Sequence, residues 1–257
     1  MMAKKIFLFW TSLMALLVPG DLDAKWQVEG RGDQPSSAEM GVFAVNLVDG
    51  SNAARLLGLW FSPQQYEFRL VPNLDGFYSS VKQVVEQRKG VAGINGGYFK
   101  QISHPVGLLV SDGKTIHPLE HARLLSGVLA IRNGLPELRR TSDFAGITGV
   151  GEAIQCGPFL VEAARPVPGL NNNREAARSF VFGTDTGAWG IGICSSATLR
   201  QLAEILVVPG LLPHVRITRA LNLDGGSSTS FYLKTAQTEL SSPNWLTVSN
   251  YLTVTNK

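Results

Sequence analysis

The segments GINGGYF at residues 93–99 and NLDGGSST at residues 222–229 are the most informative stretches of this chain. Each begins where an apolar, strand-like run ends, so each predicts a strand that runs into a sharp turn. Glycine pairs tolerate positive φ and let a ligand approach the main chain without meeting a Cβ. Asn95 and Asp224 stand at the two strand exits, and we expect their side chains to lie in one shared cleft.

Short apolar runs separated by turn dipeptides continue between these two segments. The run at residues 108–110 leads into Asp112-Gly113, and the run at residues 128–131 leads into Asn133-Gly134. Such dipeptides favour tight β-hairpins, because both central positions tolerate positive φ. The pattern therefore predicts several short antiparallel strands.

Two helices are predicted among these strands. Residues 77–89 place apolar side chains on one helical face, and Thr198 with Gln201 forms a capping-box signature before a second apolar stripe. No GxGxxG follows a strand and opens a helix, which argues against a dinucleotide-binding fold. We predict an α+β fold, with a mixed, mostly antiparallel sheet core and a few flanking helices. It forms a single large domain at residues 41–257, after a loose lead-in at residues 25–40.

Residues 1–24 have the layout of a secretory signal peptide. Lys4 and Lys5 precede an apolar run at residues 6–18, and Ala24 offers a small residue for cleavage. The apolar run is shorter than the roughly 20 residues that a membrane span needs. We therefore expect a secreted or periplasmic protein with no stable membrane span after cleavage; an uncleaved anchor is the alternative.

Composition excludes several functional classes. The chain has 257 residues and a net charge of +3, which is mild and spread out, so nucleic-acid binding is not expected. It has only four histidines, with no HExxH and no CxxC pattern, which argues against a zinc site. Cys156 and Cys194 either form one disulfide or remain two buried thiols, and spacing does not decide between them.

From about residue 40 to the C-terminus, this chain carries a series of motifs that resembles the motifs of the phosphodiester glycosidase family and follows their order. Two departures stand out. The family commonly has three glycines before the serines of the second turn, where this chain has only Gly225 and Gly226, and the arginine ahead of the last motif is replaced, with Leu246 or Thr247 nearby. The motifs are INGGYF at 94–99, PVG at 105–107, SDGK at 111–114, QCGPFLV at 155–161, ARS at 177–179, NLDGGSS at 222–228 and VSN at 248–250.

The resemblance implies removal of a sugar that is joined through its anomeric carbon to a phosphodiester. Phosphate is a good leaving group, so the usual carboxylate pair can reduce to one carboxylate plus phosphate-binding donors. We expect Asp224 to be that carboxylate, as base or nucleophile, unless it only caps its own turn. We expect Arg178 to bind the phosphate through its planar fork of donors, the alternative being an ion pair with Glu175. Asn95 completes the predicted catalytic set.

The remaining candidates are predicted substrate contacts. Backbone N–H groups of the glycines form anion-binding nests, the asparagines bind sugar hydroxyls or hold Asp224, and the serines contact phosphate. An aromatic ring stacks on the sugar, while His104 and Glu152 are secondary acid or base candidates. No cofactor is expected, and a divalent cation at Asp224 is left open, although one Asp makes a poor calcium site. The contacts are Gly96, Gly97, Tyr98, Asn222, Gly225, Gly226, Ser227, Ser228 and Asn250.

These inferences predict an exported hydrolase that cleaves a sugar from a sugar-1-phosphodiester in a glycan or glycoconjugate. A non-catalytic carbohydrate-binding or envelope polysaccharide assembly protein on the same fold is the first alternative. A hydrolase that cuts the P–O bond instead of the glycosidic bond is the second.

Overall fold

A computed structural model describes residues 26–32 and 39–257 of the chain. Strands make up most of its regular structure, and the helices are short. The strands are β1 (Gln27–Arg31), β2 (Met40–Asp49), β3 (Asn52–Phe61), β4 (Tyr66–Pro72), β5 (Ala92–Asn95), β6 (Phe99–Gln101), β7 (His104–Pro105), β8 (Leu109–Ser111), β9 (Lys114–His117), β10 (Gly127–Arg132), β11 (Leu135–Arg140), β12 (Val150–Cys156), β13 (Phe159–Glu162), β14 (Arg165–Pro166), β15 (Ala176–Thr184), β16 (Trp189–Ala197), β17 (Ile217–Asn222), β18 (Phe231–Lys234), β19 (Glu239–Ser242) and β20 (Asn250–Asn256). The helices are α1 (Val81–Gln87) and α2 (Leu199–Ile205), with 3₁₀ turns at Thr141–Asp143 and Gly226–Ser228.

Three larger sheets surround one core. An eight-stranded sheet has the order β1-β2-β3-β16-β15-β17-β13-β14, and two five-stranded sheets have the orders β11-β10-β12-β8-β9 and β19-β18-β5-β20-β4. Strands from all three contribute buried apolar side chains to one hydrophobic cluster, for example Phe61, Leu129 and Ile94. Because the sheets pack on this shared cluster, their central strands are buried, and all four residues of β5 are an example.

The predicted hairpins are confirmed. Asp112-Gly113 joins β8 to β9 and Asn133-Gly134 joins β10 to β11, and all four residues have positive φ. This geometry matches the right-handed twist of the paired strands. The turns therefore fix the strand register that the sequence indicates.

The predicted mostly antiparallel sheets are confirmed, since all strand pairs in the described residues are antiparallel, as β15 with β17 and β20 with β5 illustrate. The predicted share of helix is too high, because the described fold is predominantly β rather than α+β. Helix α1 is shorter than the predicted range of residues 77–89, since Ser80 caps it and Phe77 is 61% exposed. The capping box of Thr198 and Gln201 on α2 is confirmed.

The N-terminal predictions are covered only in part. The signal peptide predicted at residues 1–24 lies outside the described residues. Within the lead-in predicted as loose, Gln27–Arg31 form β1 and pair with β2. No helix in residues 26–32 and 39–257 combines the length and apolar character that crossing a membrane requires. Cys156 and Cys194 are both buried free thiols, so they do not form a disulfide with each other.

Candidate functional site

The two glycine turns are in direct contact, as the sequence predicts. The first follows β5 and the second follows β17. The backbone N–H of Asp224 donates to the carbonyl of Gly96 at 3.1 Å, and the side-chain amide of Asn95 donates to the carbonyl of Asp224 at 2.7 Å. Residues 129 positions apart are thereby joined at one edge of the core.

Asn95 holds this junction together from inside. Its side chain is fully buried, and its Oδ1 accepts from Ser179 Oγ at 2.6 Å and from the Ser230 N–H at 3.1 Å. The amide therefore ties the ends of β5, β15 and β17 to the chain entering β18. The polar atoms of Asn95 are therefore engaged by the protein away from solvent, and its catalytic role stays a prediction.

Asn250 plays a similar part in the first turn. Its Oδ1 accepts from the Gly97 N–H at 2.7 Å, and its carbonyl accepts from the Gly96 N–H at 2.9 Å. A Cβ at Gly96 would lie 1.9 Å from Asn250 Oδ1. Asn250 therefore occupies the N–H groups of both glycines, and Gly96 leaves room for its side chain. The substrate contacts at Gly96, Gly97 and Asn250 stay predictions.

Asp224 is half-buried and supplies the charged centre of the second turn. Burial raises the pKa of its carboxyl group above the usual value, and hydrogen bonds from the Ser228 side chain and the Gly225 N–H oppose that rise. The Gly225 bond to Asp224 Oδ1 is 2.9 Å long, so the turn-capping role is realised. Gly225 and Ser228 therefore hydrogen-bond the Asp224 carboxylate, and their contact with substrate stays a prediction.

The neighbouring Gly226 and Ser227 remain available to a ligand. Gly226 has a φ of +64° with no atom within 4 Å of the place of a Cβ, and Ser227 is exposed. Within the part of the chain that the structure describes, neither backbone N–H has a hydrogen-bond partner. These two N–H groups are the donors that the second turn presents.

Arg178 lies on β15, beside the second turn. Leu223 N donates to Ser179 O at 2.8 Å, which continues the β15–β17 ladder and sets Arg178 opposite Asp224. Arg178 Nε donates to the carbonyl of Ala197 at 3.0 Å and Nη2 to that of Arg174 at 2.7 Å. These two bonds fix the guanidinium plane in a defined orientation.

The charge of Arg178 has no ion-pair partner among the described residues, so the alternative of a pair with Glu175 is not realised. Burial lowers the pKa of Arg178, and the nearby Arg174 lowers it further. An arginine stays protonated at neutral pH even so. A half-buried, unpaired guanidinium is suited to an anionic ligand.

Tyr98 links the first glycine turn to Gly157 and Asn222. Its hydroxyl donates to Gly157 O at 2.5 Å and accepts from Asn222 Nδ2 at 3.1 Å. Burial raises the pKa of Tyr98, and the charge of Asp224 adds to this while that of Arg178 opposes it, so both charges act on one phenol. The hydroxyl is anchored, and stacking of the ring on a sugar stays a prediction.

Asn222 is buried and also donates to Gly157 O at 2.9 Å, so it orients Tyr98. Its Oδ1 has no hydrogen-bond partner among the described residues. Asn222 therefore holds Tyr98, and the two roles expected for it, a sugar contact or a bond that holds Asp224, stay predictions.

Three nearby residues were missed by sequence reasoning. Ser179 binds Asn95 from within the ARS motif, next to the predicted Arg178. Cys156 has a pKa raised to about 12, chiefly by burial and further by Asp224. Trp245 is 89% exposed, and its backbone N–H donates to Ser227 O at 3.0 Å, so an open indole stands at the rim of the second turn. The motif pointed to Ser179, but no pattern pointed to Trp245.

The secondary acid or base candidates lie elsewhere. His104 is exposed on the short β7 and contacts Ser103. Glu152 is buried, accepts from Leu70 N at 3.1 Å and pairs with Arg69 at 3.3 Å, and burial raises its pKa. Among the described residues, no group of three or more His, Cys, Asp or Glu side chains is placed to hold a metal ion.

The chain belongs to the phosphodiester glycosidase family. The family model matches residues 88–255, which include both glycine turns, Arg178 and the segment at Asn250. No curated protein gave a significant sequence match.

Solved structures share the fold. The catalytic domain of zebrafish N-acetylglucosamine-1-phosphodiester alpha-N-acetylglucosaminidase, described as auto-inhibited by its pro-peptide, aligns with a TM-score of 0.62 and 16% identity, over 91% of this chain and 88% of that one. A hypothetical protein from Synechocystis aligns with a TM-score of 0.60 and 14% identity, over 89% and 64% of the two chains. An exported protein from Burkholderia pseudomallei gives 0.52 and 11%, over 79% and 74%.

Proposed function

We propose that this protein is an exported hydrolase that releases a sugar from a sugar-1-phosphodiester in a glycan or glycoconjugate. The family membership supports the reaction class. The observation that carries the proposal is that one half-buried carboxylate, Asp224, lies in the turn after β17, next to β15, the strand that carries the unpaired guanidinium of Arg178.

Asp224 supplies the carboxylate chemistry at the anomeric carbon. A carboxyl group with a raised pKa is a better base than an ordinary one, because catalysis improves as the pKa approaches the working pH. The carboxylate either activates the attacking water or itself attacks the sugar. In either case it stabilises positive charge that develops on the sugar ring.

Arg178 stabilises the leaving phosphate. A planar guanidinium matches two phosphate oxygens and compensates the charge that the phosphomonoester gains as the glycosidic bond breaks. The N–H groups of Gly226 and Ser227 have no hydrogen-bond partner among the described residues, so they add donors, and Gly226 has no Cβ in the way. A good leaving group of this kind does not need a second carboxylic acid to protonate it.

The test compares Asp224→Asn with Asp143→Asn, an exposed control on the 3₁₀ turn after β11. Release of free sugar from α- and β-linked sugar-1-phosphodiesters should fall by roughly 10²–10⁴-fold in Asp224→Asn. It should be unchanged in Asp143→Asn, and the thermal stability of both variants should match the wild type. Undiminished turnover by Asp224→Asn would remove this carboxylate from the mechanism.

Arg178 is tested separately by Arg178→Ala and Arg178→Lys. Loss of the cation should cost roughly 10²–10³-fold in kcat, because charge stabilisation acts in the transition state. Lysine should recover only part of it, since it lacks the planar fork. Equal rates for all three proteins would show that Arg178 does not meet the phosphate.

The bond that breaks is decided by hydrolysis in ¹⁸O-labelled water. Attack at the anomeric carbon puts the label in the sugar, whereas attack at phosphorus puts it in the phosphate. Label in the phosphate would show that the P–O bond breaks and would refute the glycosidase reaction.

Export is the remaining part of the proposal. It is supported by the signal-peptide pattern of residues 1–24 and by the fold shared with a protein described as exported. Fractionation of the native host followed by N-terminal sequencing should give an extracytoplasmic protein that begins at Lys25. A cytoplasmic protein that keeps residues 1–24 would contradict it.

A binding protein without turnover is the second candidate. One observation favours it. The family carries an arginine shortly before the segment that begins at Val248, whereas this chain has Leu246 and Thr247 there, both exposed and uncharged. Calorimetric binding of a sugar-1-phosphodiester with no product after long incubation would support this candidate over the hydrolase.

A further inference from the structure

A second arginine lies beside Arg178. The backbone carbonyl of Arg174 accepts from Arg178 Nη2 at 2.7 Å, so the segment just before β15 is in contact with the proposed phosphate-binding guanidinium. The charge of Arg174 also acts on Arg178 and lowers its pKa, which places the two guanidinium groups within Coulombic reach of each other. Arg174 is itself exposed, so its side chain is open to a ligand.

No carboxylate neutralises this pair of arginines in the part of the chain that the structure describes. There, the side chain of Arg174 takes part in no ion pair or hydrogen bond, and Arg178 has no ion-pair partner. Neither the adjacent Glu175 nor Asp224 is among the groups that shift the pKa of Arg178. Two cations placed together repel each other, so an anionic ligand at this position relieves an unfavourable interaction.

The second glycine turn lies against the same stretch of β15. A Cβ at Gly225 would lie 2.7 Å from the carbonyl of Ala177 and 3.7 Å from the Cα of Arg178. The next two residues of that turn, Gly226 and Ser227, carry the backbone N–H groups without partners among the described residues. The second turn and the segment before β15 thus both meet Arg178.

The charge of the phosphate changes during the proposed reaction. A sugar-1-phosphodiester carries one negative charge. When the bond between the anomeric carbon and the bridging oxygen breaks, its electron pair stays on that oxygen. Water supplies the hydroxyl group of the free sugar, and its remaining proton passes to a base. The phosphomonoester that leaves approaches two negative charges at neutral pH, so a second guanidinium matches charge that appears only as the bond breaks.

We propose that Arg174 is a second phosphate-binding residue, which acts with Arg178 and favours the dianionic phosphomonoester over the monoanionic phosphodiester. The inference rests on the proposed function, because it concerns the phosphate that the hydrolase releases. Arg174 stabilises the transition state more than the bound substrate, since the second negative charge develops during the reaction. It also binds the phosphomonoester product, which therefore inhibits the enzyme.

The test separates binding of the phosphate from turnover by using two small probes. Methyl phosphate is almost fully dianionic at about pH 8, whereas dimethyl phosphate keeps one negative charge. Calorimetric titration at low ionic strength, where charge interactions are least screened, gives the affinity of the full chain for each probe. The wild type should bind methyl phosphate more tightly than dimethyl phosphate.

The substitution Arg174→Ala removes the guanidinium and keeps the carbonyl that holds Arg178. It should weaken methyl phosphate about fivefold and dimethyl phosphate about twofold, because the dianion interacts more strongly with the lost charge. Arg165→Ala is the matched control, an exposed arginine on β14 whose side chain has no partner among the described residues, and it should leave both affinities unchanged. Asp224→Asn should bind both probes at least as tightly as the wild type.

Turnover of a sugar-1-phosphodiester gives the second readout. Arg174→Ala should lower kcat about fivefold and change KM at most about twofold, and Arg174→Lys should recover part of the loss because it keeps the positive charge. The inference would be overturned if the wild type does not prefer methyl phosphate, if Arg174→Ala keeps that preference or the full kcat, or if Arg165→Ala loses as much. A wild type that shows the preference but no turnover would support Arg174 as a phosphate-binding residue and refute the proposed hydrolase.

Discussion

Replacement of Asn95 by alanine is the sharpest test of how the site is held together. The amide is fully buried and joins three groups: the carbonyl of Asp224, the hydroxyl of Ser179 and the N–H of Ser230. Alanine removes all three bonds without adding bulk. The carbonyl and the N–H belong to the backbone and cannot turn toward another partner, whereas the Ser179 hydroxyl can rotate.

The magnitude follows from these contacts. Each buried polar group left without a partner costs about 1–3 kcal/mol. Two backbone groups give a loss of about 2–6 kcal/mol in the free energy of unfolding, to which the hydroxyl adds a smaller term. A domain typically has only about 5–15 kcal/mol in total, so Asn95→Ala should be strongly destabilised.

Urea unfolding of Asn95→Ala and Asn256→Ala measures this difference. Asn256 is the exposed last residue of β20 and serves as the matched control, which should stay within about 0.5 kcal/mol of the wild type. The transition midpoint of Asn95→Ala should fall with little change in slope. A loss below about 1 kcal/mol would refute the claim that this amide ties the two turns together.

Three further outcomes are expected. Gly96→Ala should lose activity and stability, because its Cβ would lie 1.9 Å from Asn250 Oδ1. The Cβ in Gly226→Ala meets no atom, so this variant should lose only about 1 kcal/mol of unfolding free energy for its positive φ. Equal losses on urea unfolding would contradict this. Burial raises the pKa of Asp224 above 3.8, so the folded chain binds this proton more tightly than the unfolded chain does. Protonated Asp224 therefore stabilises the fold fully below pH 3.8, and this stabilisation is lost as pH rises through the folded-state pKa. The stability of the wild type relative to Asp224→Asn should therefore decline from acid to neutral pH, and a constant difference would oppose it. Both cysteine thiols are buried with pKa values raised to about 12, so a thiol reagent should label neither before unfolding, and fast labelling of the native protein would contradict that.

The meeting of the two turns could be predicted because each turn follows a short buried strand and carries a polar residue at its exit. Asn95 and Asp224 are 129 positions apart, yet the resemblance placed them in one site, and the hydrogen bond between them agrees. The balance of helix and strand was harder to predict. Phe77 fits the apolar face of a helix, but Ser80 accepts from the Gln83 N–H and starts helix α1 later, which leaves Phe77 outside.

The roles of the asparagines could not be predicted from local sequence. An amide at a strand exit can face a ligand or a neighbouring strand, and the pairing of distant strands decides which. Asn250 meets Gly97 only because β20 pairs with β5, across 153 positions. The sequence supplied the candidates, and the tertiary contacts show that the protein itself engages the amides of Asn95 and Asn250, whereas Arg178 has no ion-pair partner among the described residues.

The second turn shows why its missing third glycine is not in itself an argument against catalysis. A Cβ at Gly225 would lie 2.7 Å from the carbonyl of Ala177, so this position needs glycine for close approach to β15. Gly226 needs it for a φ of +64°. Ser227 has neither constraint, since its φ is not positive and its side chain is exposed. Two glycines therefore meet the steric demands of the turn that carries Asp224, and the serine in the third position leaves the backbone N–H free to donate beside Arg178.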